Sequence, residues 1–404
     1  MFENRYDEGG NRLRIARLSD RGVNVWGSDR VYISDDVPVE NIEPGSTIYN
    51  ATISGPKTFI GRGAKVGQSG HARVADCQIG RDCDIGAGTY DRATLLEGAT
   101  VRGFAELRPG TLLEEEVEAA HSVAFKNTIL TATCVTGSIL NYCDLFMSGG
   151  TSRDDHSEVG SGVVHFNFDP RQDKWGSLMG DVRGVLLRSA PVFVGGQVGL
   201  VAPVHIDFGA VVAAGSIVRH DVGPGCVHFE VARTQNVEGF DREIYTGLKR
   251  KLLTTAKLIG NLWALSSWYA DVRMPFADSD QTPLYEAARE QIQRHIDERV
   301  KRINKIIRKL PRSLEKAGER ARGELRAEHE MLIAQQSHIE GALIRPSTAA
   351  APESFLREYE LGRKTKSHLD TIRTLSPDSV RYAEKWLLDL AAAQARRLES
   401  VFQS

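Results

Sequence analysis

The chain has 404 residues, with 51 basic against 53 acidic side chains and a formal net charge of −2; it is long enough for two or three domains and a sizeable core. That balance excludes the one-sided basic excess on which nucleic-acid binding depends. No apolar run approaches the roughly 18 residues of a membrane span, and neither end reads as a leader or a lipidation signal. A soluble, cytoplasmic protein with no nucleic-acid or membrane partner is the expectation. The five cysteines (Cys77, Cys83, Cys134, Cys143, Cys226) are odd in number and hold no CxxC pair, so buried reduced thiols are expected rather than disulfides or a metal site.

Residues 1–40 are polar, with short extended stretches at 23–26 and 30–33, and read as a cap over the open end of the repetitive segment next to them. From Ile42 an aliphatic residue recurs at every sixth position in blocks: Ile42 and Ile48, Ile60 and Val66, Ile79 and Ile85, then Leu95, Val101, Leu107 and Leu113, then Ile129 and Val135. A six-residue period fits neither a helix nor the alternation of a single strand. It fits a β-solenoid, in which each unit is one flat side of a coil, its aliphatic side chain points inward, and three units close a turn. The rhythm weakens over residues 137–190, where glycine, aspartate, asparagine and histidine accumulate. It returns in full at Val194, Leu200, Ile206, Val212 and Val218.

Beyond about residue 240 the periodicity becomes helical. Helices are expected over 242–269, 286–310, 320–342, 354–374 and 377–402, with a linker at 346–352. The second carries Ile292, Ile296, Val300, Ile303, Ile307 and Leu310 as an apolar seam at steps of three and four. The last opens on Ser376-Pro377-Asp378, a helix-start signal. The expected organisation is thus a cap (1–40), a solenoid domain carrying the site (41–235) and a helical domain (236–404). The helical domain is also the expected contact for a protein partner.

Three stretches are richer than a solenoid wall requires. Leu107-Arg108-Pro109-Gly110-Thr111 projects an arginine beside a turn, and Phe125-Lys126-Asn127 places a lysine one coil further along the same wall. The third, 141–174, holds His156, His165, Asp144, Arg153, Asp154, Asp155, Asn167 and Phe168. Its histidine and carboxylate spacing matches no tight metal motif. A carboxylate orienting an imidazole of near-neutral pKa as a general base suits it better. Arg108, Lys126 and Arg153 together suit a phosphate group.

These stretches, with Asn167-Phe168-Asp169, Phe193-Val194-Gly195-Gly196, Leu200-Val201-Ala202-Pro203-Val204 and Ala213-Ala214-Gly215-Ser216, give residues 100–222 a resemblance. The stretch resembles the acetyltransferase domain of the bifunctional glucosamine-1-phosphate N-acetyltransferase and uridylyltransferase family. The resemblance implies a left-handed parallel β-helix built of hexapeptide repeats, a homotrimer, and acetyl-CoA as co-substrate without a metal. By position it makes Arg108 and Lys126 the sugar-phosphate ligands and sets Asn167 and Phe168 where acetyl-CoA meets the amino sugar. It also lines the CoA groove with Gly196 and Ala214. Counted back from Asn167, the family's catalytic histidine falls on Asp144, its tyrosine on Met147, and the glutamate before its lysine on Ala124. His156 or His165 is then the expected base, with Asp144 as its partner.

The function expected is an acyl-CoA-dependent N-acetyltransferase acting on an amino-sugar phosphate or a nucleotide amino sugar. The alternative is a trimeric scaffold, or a sugar-phosphate or nucleotide-sugar binding protein, that does not catalyse.

Overall fold

In the computed structural model, which describes residues 8–230, 241, 243–318, 323–344 and 349–402, the hexad ladder closes into a parallel β-solenoid of about 11 turns. Each coil has three faces. The first is an unbroken stack of 11 parallel strands, from Asn24–Val25 to Val227–His228. The second and third are carried by one 16-stranded sheet. Val194, Leu200, Ile206, Val212 and Val218 are all fully buried, and they stand in one core with Ile48, Ile60, Ile79, Leu95 and Leu107. No coil could bury these residues alone, so stacking supplies the stability.

The second and third faces share a sheet because one residue is missing at their corner. Leu107 and Leu113 point inward six positions apart, but their successors one coil later are Phe125 and Leu130, and one coil after that Tyr142 and Met147, five apart. The shortened corner lets Val123–Leu130 and Leu140–Met147 each run as a single eight-residue strand across both faces. Asn127 and Asp144 take up the bend in the left-handed region, at φ of 45° and 67°. The six-residue reading therefore loses phase here. Ile129 and Val135, expected inside, face outward, and Leu130 and Thr136 take the inner positions.

At the amino-terminal end, helix α1 (Glu8–Asp20) covers the first coil. Little in its pattern announces it, since only Ile15 and Leu18 of the helix join the core. Its Asn11 pairs with the edge strand, accepting from Ile33 N and donating to Val31 O, each at 2.9 Å. That satisfies backbone groups an open sheet end would leave free. The stretches at 23–26 and 30–33 do not pair with each other. They start the first and second faces, against Thr47–Ile48 and Ala51–Ser54.

The helical region comprises α2 (Leu248–Trp268), α3 (Thr282–Ile307), α4 (Leu310–Ala317), α5 (Glu324–Ala334), α6 (Gln336–Leu343), α7 (Glu353–Arg363), α8 (His368–Arg373) and α9 (Pro377–Val401). Two helices expected as single pieces are each broken in two, and α9 starts where its signal stands, with Ser376 Oγ accepting from Ser379 N at 3.3 Å. The boundary expected at 235 and much of the linker expected at 346–352 lie outside the described residues. No described helix is long and apolar enough to cross a membrane. All five cysteines are unpaired, but only Cys77, Cys83 and Cys134 are buried; Cys143 is half-buried and Cys226 exposed.

These helices are packed on the solenoid. The outward side chains of the third face, among them Phe59, Leu112, Ile129, Phe146 and Leu178, form one second core with Leu258, Leu262, Leu284, Ile292 and Ile296 of α2 and α3. Within that core α2 ends in a π-helical turn, Tyr269–Arg273, which delivers Arg273 to the adjacent carboxylates of Glu114 and Glu115. Tyr269 Oη donates to Glu114 Oε1 at 2.6 Å, and the Arg273 guanidinium lies 4.9 Å and 4.4 Å from the Tyr269 and Tyr285 ring centres. One arginine cannot neutralise two carboxylates. Burial raises the Glu114 pKa to about 7, against the pull of Arg273 and with the push of Glu115. A raised carboxyl pKa contributes stability at low pH that is lost as the pH climbs from about 4.5 through 7. Glu114→Gln is therefore expected to be neutral or stabilising at pH 8 and to flatten the fall in stability between pH 5 and 8, measured by urea unfolding at the two pH values.

Candidate functional site

The corner between the second and third faces gathers five of the side chains expected at the site. Leu107 registers with Phe125 and Lys126 with Cys143, so Arg108, Lys126 and Cys143 follow one another rung by rung, about 4.8 Å apart. Arg108 is one-third exposed, with Nη2 3.5 Å from Cys143 Sγ and Nε 3.8 Å from Glu106 Oε2. The Lys126 ammonium has no hydrogen-bond or ion-pair partner among the described residues. Both cations line a groove of about 1000 Å³ whose opposite wall is α3, with Arg294, Glu298 and Lys301.

Beside that groove Asp144 is 2% exposed and fully engaged. Its Oδ1 accepts from Asn127 Nδ2 at 3.0 Å and from Arg299 Nη2 of α3 at 2.6 Å, and its Oδ2 accepts from Asn167 Nδ2 at 2.5 Å. Burial opposes the charge, yet Arg299, His295 and the two asparagines together hold the carboxyl below its ordinary range. Asp144 is thus a structural anion, bridging three coils to one helix. Phe168 stands beyond Asn167, 56% exposed, on the loop that leads to Lys174.

His165 is an interior residue. It registers with Leu200, and Tyr142 lies inward on the coil before it. Cys143 O, 2.6 Å away, can only accept, so Nδ1 carries the proton; Nε2 then accepts from Ser177 Oγ at 2.8 Å. Burial, partly opposed by the Cys143 carbonyl, pushes its pKa down to about 4. Both nitrogens are occupied in holding the corner together.

The remaining expected residues occupy other corners. Arg153 and His156 belong to a small antiparallel hairpin between the third and first faces. Arg153 donates to the corner carbonyls of Glu116 and Thr133 at 3.0 Å and 3.2 Å and pairs with Glu118 at 2.6 Å. His156 Nδ1 lies 2.7 Å from Arg153 O, which orients the ring, and Nε2 faces Glu158 at 4.0 Å. Gly196 and Ala214 lie on the corner between the first and second faces. Backbones stack closely there: a Cβ on Gly195 would stand 2.5 Å from Ala214 N, and one on Gly160 2.5 Å from Gly196 N. Among the described residues no group of three or more metal-ligating side chains converges.

Two features were not expected from the sequence. Gln291, His295 and Arg299 of α3 repeat every four residues and track the second–third corner: Gly110 N donates to Gln291 Oε1 at 2.8 Å, and Arg299 meets Asp144. The signal was present, since each of the three directly precedes a seam residue, Ile292, Ile296 or Val300. His121 is the second: exposed, on the first–second corner, its Nδ1 lies 3.1 Å from Ser138 Oγ. It sits directly after the inward residue Ala119 and the corner Ala120, where a hexad reading expects only small residues.

Both buried groups of this corner have measurable consequences. Arg299→Met leaves a buried carboxylate unpaired and is expected to cost about 3–5 kcal/mol in chemical unfolding, whereas an exposed lysine such as Lys301 changed to methionine costs under about 0.5 kcal/mol. For His165, a depressed pKa means stability that is complete above pH 6.5 and lost as the pH falls toward 4. His165→Gln is expected to remove on the order of 3 kcal/mol of that acid-induced loss, read as a shallower stability–pH curve across this window.

No family model matches the chain. The chain is similar to proteins named bifunctional protein GlmU. It is 33% identical over 232 residues to that of Pelobacter propionicus, covering 57% of this chain and 46% of the relative. It is 32% identical over 220 residues to that of Trichlorobacter lovleyi, covering 54% and 42%, and 26% identical over 227 residues to that of Thermotoga maritima, covering 56% and 46%. The chain therefore spans about half the length of the curated relatives it matches. The similarity lies over the C-terminal half of the GlmU proteins, and the β-solenoid of this chain is consistent with it.

Proposed function

We propose that the chain is an acyl-CoA-dependent N-acetyltransferase acting on an amino-sugar phosphate or nucleotide amino sugar, in the reactions that lead to UDP-N-acetylglucosamine. The observation that carries this reading is the stacking of Arg108 and Lys126 on adjacent rungs over an open groove, in a solenoid related to the GlmU proteins. Two like charges side by side on a sheet repel one another, and an anion on the groove side relieves that. A phosphate takes a bidentate contact from the arginine and a point charge from the lysine.

The sugar amine attacks the thioester carbonyl of acetyl-CoA, the N–C bond forms, the C–S bond breaks, and the thiolate leaves with a proton. The chain has to bind both molecules, stabilise the oxyanion and accept a proton from the ammonium group. His156 is the proposed acceptor, because the Arg153 carbonyl fixes Nδ1–H and leaves Nε2, 4.0 Å from the Glu158 carboxylate, to take up the proton. His165 and Asp144 support the corner on which Asn167 and Phe168 meet the reactants, and Arg153 adds positive charge beside His156. Gly196 and Ala214 let the pantetheine arm approach the backbone. These residues occupy three corners of one prism, so a complete site requires corners from different copies. The assembly proposed is a homotrimer, and its compartment the cytoplasm.

The test is acetyl transfer from acetyl-CoA to glucosamine 1-phosphate and to UDP-glucosamine, with the mass of the protein in solution measured alongside. Turnover by a trimer is expected. Arg108→Ala and Lys126→Ala should each raise the acceptor KM about tenfold or more, and His156→Ala should lower kcat by about 100-fold or more. Binding of sugar phosphate without binding of acetyl-CoA, and no transfer to either acceptor, would overturn the transferase in favour of a binding protein.

A further inference from the structure

The groove over Arg108 and Lys126 has a second wall that does not come from the solenoid. Helix α3 runs along it, held in place by the contacts of Gln291 and Arg299 with the corner. Its exposed side presents Arg294 and Lys301. Seven residues apart, they lie on one side of the helix, two turns from each other. Neither has a hydrogen-bond or ion-pair partner among the described residues.

The other charges in the groove are largely matched. Arg92 pairs with Asp91 at 2.9 Å, Arg302 with Glu298 at 2.6 Å, and Glu290 turns out to Lys57 at 2.9 Å. Glu106 stands 3.8 Å from Arg108. Asp297, which accepts from Gln293 at 2.8 Å, is the one lining carboxylate not set against a cation among the described residues. Against it stand three unmatched cations, Lys126, Arg294 and Lys301. The groove therefore keeps an excess of two positive charges, distributed over both walls. Its volume of about 1000 Å³ lies at the upper end of small-molecule sites, far more than a hexosamine monophosphate fills.

We propose that α3 is the second half of the acceptor site, and that Arg294 and Lys301 face Arg108 and Lys126 across a diphosphate. The ligand class is then a nucleoside diphosphate amino sugar rather than a sugar monophosphate. This rests on the acceptor groove of the proposed function and names its substrate class. The helical region, on this reading, selects the acceptor as well as covering the third face.

Calorimetry on the full chain tests it, with UDP-glucosamine, glucosamine 1-phosphate and free glucosamine as probes. The wild type should bind the diphosphate sugar at least tenfold more tightly than the monophosphate. Charge reversal in the double variant Arg294→Glu/Lys301→Glu should weaken UDP-glucosamine at least tenfold, and Arg294→Gln/Lys301→Gln by a smaller factor in the same direction. Both side chains are exposed, so thermal unfolding should stay at the wild-type temperature. Equal wild-type affinity for the two phosphorylated sugars, or no loss of UDP-glucosamine binding in the charge-reversed variant, overturns the inference. Acetyl transfer is read separately. Undiminished UDP-glucosamine binding in the charge-reversed variant, with acetyl transfer retained, sinks the role of α3 and leaves the transferase standing. Lost nucleotide-sugar binding in a protein that never transfers acetyl does the reverse.

Discussion

The buried pair of Asp144 and Arg299 is the constraint from which the arrangement of the two domains follows. A carboxylate at 2% exposure is tolerable only when paired and hydrogen-bonded, and here three side chains bond to it. Two are asparagines on the neighbouring coils and one is the guanidinium of α3, and the backbone geometry that aims the carboxylate at them is the shortened corner at φ 67°. The loss of one residue in each of two coils, a detail of spacing, thus creates the bend that carries the anion. The anion fixes the helix, and the fixed helix creates the groove. Arg299 also donates to Lys174 O at 3.3 Å, which ties the loop bearing Phe168 to the same point.

The three faces of the prism consequently have different fates. The third is covered by α2 and α3, whose apolar side chains merge with Phe59, Leu112, Ile129, Phe146 and Leu178 into one core. The first and second remain uncovered, and toward the carboxyl-terminal coils they carry Phe166, Phe193 and Val227 at 48%, 44% and 61% exposure. Among the described residues these two are the solenoid faces left open to a further copy of the chain, since the third is covered. The corners that hold Gly196, Ala214 and His156 border them. A site shared between copies is compatible with the helical region for that geometric reason.

The solenoid is legible because its code is simple: one inward aliphatic residue per six. All five members of the ladder from Val194 to Val218 are fully buried. The same code also bears on His165. Val159 is fully buried and His165 stands six positions after it, as Leu200 stands after Val194, so the hexad itself places that imidazole inside the prism. Where the period drops to five, the code fails silently, and Ile129 and Val135 keep a phase that the chain has already left. Helix α1 is hidden because it caps with Asn11 and buries only two aliphatic residues. The role of α3 is half visible: its apolar seam is periodic, but which polar residues beside the seam meet the solenoid depends on tertiary contacts that no local pattern encodes.

Apolar packing alone would not specify how far along the prism the helices sit. The third face repeats every rung, about 4.8 Å, and from Leu112 through Ile129 and Phe146 to Leu178 it presents an apolar side chain at each step, so a helix displaced by one coil along that stretch would still find a hydrophobic surface. Three polar anchors break that degeneracy. Arg273 must meet Glu114 and Glu115, and Arg299 must meet Asp144. Asp173, fully buried, must receive Tyr245 Oη at 2.6 Å and Lys309 Nζ at 2.7 Å. They fall on different coils and on different segments of the helical region. A one-rung slip would strand all of these buried carboxylates at once, each at a cost of several kcal/mol. Buried ion pairs contribute little to stability compared with well-packed hydrocarbon, but against a periodic surface their cost when mismatched supplies the register. It is this register that brings Arg294 and Lys301 to the groove that Arg108 and Lys126 line.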